Sequence, residues 1–149
     1  MPFSPDPFVS SDETDFGYDV MKRRNRTVSP GGTITDLVYE PRGLVIGTYV
    51  GTNDDGGTET DPTGGGTDPD NNMVIVTANE YDDGADGGDG NLTQLTQYVN
   101  ATTTRVTLMA FDFRDRLITT DGEIGENKRV RTLCCQSLGS GRTLQNKES

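Results

Sequence analysis

Hydrophobic positions in this chain come in short runs that alternate with Thr and other polar residues, and Gly, Pro, Asn and Asp cut the runs apart. Thr33 to Glu40, Gly43 to Val50, Met73 to Tyr81, Thr104 to Phe113 and Arg129 to Leu133 are rich in Val, Ile, Thr, Tyr and Phe. β-Branched and aromatic side chains at alternating positions suit a half-buried pleated surface, so each run predicts a β-strand. Glu40-Pro41-Arg42-Gly43 reads as a tight turn joining the first two into a hairpin, and Thr120-Asp121-Gly122-Glu123 as a second turn after Leu117-Ile118-Thr119. Asn91 to Ala101 carries two patterns. Leu92, Leu95 and Val99 stand at helical spacing behind Asn91 as N-cap and Gln94 in the capping-box position, whereas the Thr content and Tyr98-Val99 suit a strand. A short helix is the reading taken. No segment repeats at a fixed period, so a solenoid or propeller is not expected. The predicted class is mainly β, a small antiparallel β-sandwich or β-barrel.

The ends differ from this middle. Three prolines in the first seven residues force extended backbone, and Pro30-Gly31-Gly32 closes the segment, so residues 1–32 read as an extended arm. The arm holds Phe3, Phe8, Val9, Phe16, Tyr18, Val20 and Met21, apolar residues that a merely solvated tail has little reason to carry. Phe3, Phe8, Phe16 and Tyr18 are therefore candidate partner contacts. Arg23, Arg24 and Arg26, in the cluster Lys22-Arg23-Arg24-Asn25-Arg26, are expected to form salt bridges to an acidic neighbouring surface. Residues 33–133 then form the β domain, and 134–149 a polar C-terminal tail.

Charge sharpens the division. The 149 residues carry a net charge of −11, and the stretch from Gly51 to Asn91 holds nine Asp, two Glu and no Lys or Arg, which accounts for all of it. The acidity thus belongs to two Gly/Asp-rich segments, 51–72 and 82–91, set into a balanced scaffold. Gly51 to Asn72 has no aliphatic or aromatic residue in 22 positions and is expected to be a long projecting loop. Such a balance repels nucleic acid and anionic membranes, so neither is an expected partner. Leu, Ile, Val and Phe number only 9, 5, 11 and 5, at the edge where a charged chain stops burying enough apolar surface to fold. One domain with a small or shared core is what this composition allows. The first eight residues show no basic or apolar leader pattern, and the longest apolar runs, Met73 to Val76 and Leu108 to Phe111, are four residues, so no signal segment or membrane span is expected.

Candidate chemistry is sparse. With no His, the Ser-His-Asp and Cys-His mechanisms and His-ligated metal sites are excluded. Clustered carboxylates on Gly-rich turns suit a calcium ion, which makes Asp82, Asp83, Asp86 and Asp89, then Asp68 and Asp70, the candidate ligands. Known spacings fit poorly: an EF-hand from Asp82 meets Gly84 and Thr93 where ligands belong, and one from Asp68 has Met73 at the required Gly. Gly87-Gly88-Asp89-Gly90-Asn91 gives half of a calcium-binding nonapeptide, in one copy and followed by Leu92. Cys134-Cys135 reads as a pair of small apolar residues, with a vicinal or intersubunit disulfide as the alternative and no C-x-x-C arrangement. No pair among the 24 acids is selected for acid-base work, no phosphate loop occurs, and Asp112 and Asp115 beside Arg114 and Arg116 suggest surface ion pairs. No catalytic residues and no resident cofactor are expected.

A small β core, an aromatic-bearing arm, a polar tail and acidic loops together resemble accessory structural proteins of virus particles, such as capsid decoration (cement) proteins or head-tail components of tailed phages. The resemblance is one of architecture over the whole chain. It implies a non-enzymatic protein of the virion, binding copies of itself and other structural proteins. The alternative is a calcium-dependent extracellular binding or adhesion module, or a filament subunit.

Overall fold

A computed structural model describes residues 12–82, 90–124 and 127–132, the last six and residues 123–124 by their backbone. Nine strands run in chain order: β1 (Asp15–Tyr18), β2 (Arg24–Val28), β3 (Ile34–Tyr39), β4 (Val45–Gly51), β5 (Val74–Tyr81), β6 (Leu92–Asn100), β7 (Thr103–Phe111), β8 (Leu117–Ile124) and β9 (Asn127–Thr132). Each pairs antiparallel with the next in one open sheet ordered β1 to β9. The chain is mainly β, as expected. The arrangement is a single open meander: among the described residues all nine strands belong to one sheet whose ends, β1 and β9, do not pair with each other, so neither the two sheets of a sandwich nor the closure of a barrel is seen among them.

Four connections use one turn geometry. At Asp19–Arg23, Ser29–Thr33, Glu40–Leu44 and Asp112–Arg116 the first residue donates its N–H to the carbonyl of the fifth, at 2.9–3.0 Å, and accepts from the N–H of the fourth, at 2.8–2.9 Å. The fourth residue, Lys22, Gly32, Gly43 or Asp115, has positive φ, which sends the second strand back alongside the first. The Glu40-Pro41-Arg42-Gly43 turn lies where the sequence places it. Two departures concern strands. Residues 15–28, expected within the arm, form the β1–β2 hairpin, and Thr120-Asp121-Gly122-Glu123 is no turn but the interior of β8, where Gly122 sits opposite Thr107 and Arg129.

The expected helix over Asn91 to Ala101 is the strand β6. Tyr81 pairs with Leu92 and Glu80 with Gln94, so Thr93 is an extra residue in the ladder. This bulge puts Leu92 and Leu95 on one face of the sheet although they are three apart, which imitates helical spacing.

The acidic segment between β4 and β5 also differs from expectation. Its neck is closed by two asparagines: Asn72 Oδ1 accepts the N–H groups of Thr52 and Asn53 at 2.8 and 2.9 Å, and Asn71 Nδ2 donates to the carbonyls of Asp55 and Pro62, both at 2.9 Å. A 3-10 turn, Gly64–Gly66, lies at its far end. Gly57 and Gly64 let backbone pass backbone, since a Cβ on Gly57 would stand 2.7 Å from the Pro62 carbonyl oxygen and one on Gly64 2.7 Å from that of Gly56. The loop expected to project from its lack of apolar residues is instead compact, and these glycines permit the close approaches. It folds back over the face of the sheet that carries Arg26, Asp36 and Tyr49.

Burial follows the loop. Among the described residues the buried apolar side chains are Ile34, Val38 and Met73, with Pro62 and Gly47 also buried. Strands β5 to β7 and the described side chains of β8 have none. The buried apolar side chains among the described residues thus gather on β3 and at the end of the loop, beside Gly47 of β4.

Candidate functional site

Arg26 on β2 stands at the junction of loop and sheet. Its Nε donates to Asp54 Oδ2 at 2.7 Å and its Nη2 to Asp54 Oδ1 at 3.0 Å, a bidentate pair across 28 residues of sequence. Asp36, Arg26's cross-strand partner, lies 4.0 Å from the guanidinium and has a buried oxygen, Oδ1, without a hydrogen-bond partner among the described residues. The two carboxyls are driven apart. The bond from Arg26 holds Asp54 below the ordinary carboxylate range, whereas burial, then the nearby Asp54 charge, pushes Asp36 above it. These groups, with Gly17, Tyr18, Asn25, Glu59 and Pro62, line a cleft of about 350 Å³ between the hairpin and the loop. No local pattern marks this cluster, because its members come from β2, β3 and the loop. Chemically it is an ionic clamp that fixes the loop to the sheet.

The remaining candidate arginines are engaged nearby. Arg23 Nε donates to Asp19 at 2.6 Å, Arg23 Nη1 to the Glu40 carbonyl at 3.1 Å, and its guanidinium lies 4.5 Å from the centre of the Tyr39 ring. Arg24 stacks 5.2 Å from the Phe16 ring. For Arg23 and Arg26 an acidic partner is thus supplied by the chain itself. Phe16 and Tyr18 are 50% and 60% exposed on the edge strand β1. Phe3 and Phe8 lie outside the described residues, as do Cys134 and Cys135.

Of the carboxylates considered for calcium, Asp82 and the pair Asp68 and Asp70 lie in different connections. Asp82 closes the β5–β6 connection: its Oδ1 accepts from the N–H groups of Gly90 and Asn91 at 2.8 and 2.9 Å, and its Oδ2 from Asn91 Nδ2 at 3.1 Å. Burial opposes its ionisation, yet the bonds from Asn91 and Gly90 outweigh it and leave the pKa lowered. Asp68 accepts the N–H of Asp70 within the other loop. Asp83, Asp86 and Asp89 lie outside the described residues. Among the described residues no group of three or more His, Cys, Asp or Glu is placed to share a metal ion.

A second concavity is apolar. Val74, Ile75, Val76, Tyr98, Val99, Asn100 and Ala101 line a groove of about 420 Å³ along β5 and the end of β6. Val74 and Val99 are more than half exposed, and Leu108, on β7, is 47% exposed. Single exposed apolar residues are normal, but a groove lined by several of them is a candidate contact surface. Among the described residues no helix is long and apolar enough to cross a membrane. No protein-family model matches the chain, and no curated protein is significantly similar to it.

Proposed function

We propose that the chain is a non-enzymatic structural subunit that completes its fold against neighbouring copies and other structural proteins, of the kind that decorates a phage-like capsid or serves at its head-tail junction. One observation carries this reading: strands β5 to β8 have no buried apolar side chain among the described residues, while Val74, Val99 and Leu108 are exposed. A β-sheet is stable when at least one apolar face is covered, and among the described residues the buried apolar side chains are confined to β3 and the end of the loop. A neighbouring subunit supplies the missing layer. The strong negative charge keeps the outer surface of such a particle soluble and argues against nucleic acid and anionic lipid as partners.

Phe16 and Tyr18 on the edge strand, with Phe3 and Phe8 ahead of it, are the residues proposed to reach the neighbour. Replacing all four by alanine is expected to lower the assembled fraction in light scattering at fixed concentration, while far-UV circular dichroism of the β domain stays unchanged. Assembly equal to that of the parent protein contradicts the proposed contact.

A further inference from the structure

The two outer strands of the sheet are opposite in charge. Asp12, Glu13 and Asp15 lie on or just before β1 and are exposed; none forms an ion pair within 4.0 Å among the described residues, although the Asp15 charge reaches Arg26. At the other end β9 reads Asn-Lys-Arg-Val-Arg-Thr, with Lys128, Arg129 and Arg131. Only Lys128 has an acid opposite it on β8, Glu123; Arg129 stands opposite Gly122 and Arg131 opposite Thr120. Among the described residues neither β1 nor β9 has a strand on its outer side.

We propose that β9 of one copy pairs with β1 of the next, so that the sheet continues from subunit to subunit. This rests on the proposal that the chain assembles with its own copies, and names the contact. Charged edge strands usually prevent edge-to-edge association. Here the charges do so selectively. A twofold contact of β1 with β1 brings acid against acid, and one of β9 with β9 brings base against base, whereas β9 with β1 brings opposite charges together. Direction adds a constraint. Nine antiparallel strands are an odd number, so β1 and β9 run the same way, and a neighbour related by rotation about an axis along the strands presents β1 parallel to β9. A head-to-tail contact of this kind closes into a ring when the rotation permits, and otherwise propagates.

The test is a charge exchange read by light scattering in the full chain. K128E/R129E/R131E and, separately, D12K/E13K/D15K are each expected to weaken association at least tenfold, and the six changes combined in one chain to restore it. The milder K128Q/R129Q/R131Q, with circular dichroism confirming the fold, is expected to give a smaller loss in the same direction. Assembly that ignores both single-edge exchanges overturns edge pairing while leaving assembly itself in place. A parent protein that stays monomeric at every concentration overturns both. Two weakened single-edge variants without recovery in the combined chain also overturn the pairing of these two edges.

Discussion

At the scale of residues, short acidic side chains set the hairpins. Asp112 Oδ1 accepts the N–H groups of Arg114 and Arg116 at 2.9 and 3.1 Å, and its Oδ2 accepts from Arg116 Nε at 2.8 Å. Asp19 repeats the pattern with Met21 and Arg23. The bond from Arg116 is the main reason that the Asp112 pKa is lowered to about 2. A depressed carboxyl pKa stabilises the fold above the ordinary value of 3.8 and loses that contribution as pH falls through about 2. Asp112→Asn is therefore expected to flatten the loss of stability between pH 4 and pH 2 in thermal melts; an unchanged slope would refute it. Asp36 has the opposite sign, since its raised pKa favours the protonated form and its ionisation works against the fold as pH rises. The clamp side chains are 35% and 28% exposed, so Arg26→Ala is expected to cost about 1–2 kcal/mol, the range of a charged hydrogen bond discounted for solvent. In a double-mutant cycle with Asp54→Ala, most of that cost should appear as coupling, and independent effects would show that the pair does not hold the loop. Ile34→Ala, in the small core, should cost about 2–3 kcal/mol by chemical denaturation, the lower part of the range for such truncations because the site is thinly packed.

At the scale of elements, the loop between β4 and β5 behaves as a folded lid because its glycines permit backbone contact. Gly57→Ala places a methyl against the carbonyls of Pro62 and Asp54, at 2.7 and 2.8 Å, and is expected to open the loop to limited proteolysis. Gly31→Ala, which meets only Ser29 Oγ at 4.0 Å, should leave it protected. Equal protection in both would contradict the close packing. Most strands were legible in the sequence, since alternation of Val, Ile and Thr directly reflects a pleated ladder. The failures have identifiable causes. The β6 bulge mimicked a helical period, and Asp121-Gly122 looked like a turn but lies paired within β8. The β1–β2 hairpin was hidden because its turn contains no Gly, with Lys22 in the left-handed region at φ 64°. The shared Asp-x-x-x-Arg spacing of Asp19–Arg23 and Asp112–Arg116 was the available signal. The Arg26, Asp36 and Asp54 cluster was not legible at all, because nothing local records which turn a loop makes on its way back to the sheet.

At the scale of the whole molecule, burial among the described residues is concentrated at β3 and the end of the loop, and the two outer strands carry opposite charge. The composition already pointed to a small or shared core, and three buried apolar side chains among the described residues give that a structural form. Ionic strength is expected to act on the assembly more than on the subunit, because contacts between exposed charged edges are screened by salt while the loop is held to the sheet by packing and the partly buried, bidentate Arg26–Asp54 pair. The most direct test of assembly is the mass of the purified protein in solution, measured by light scattering over a range of concentrations, with calcium and with chelator. A multimer that is indifferent to calcium and dissociates on dilution is the expected result. A monomer at every concentration contradicts it, and a mass that rises only with calcium would replace it with the calcium-dependent binding module.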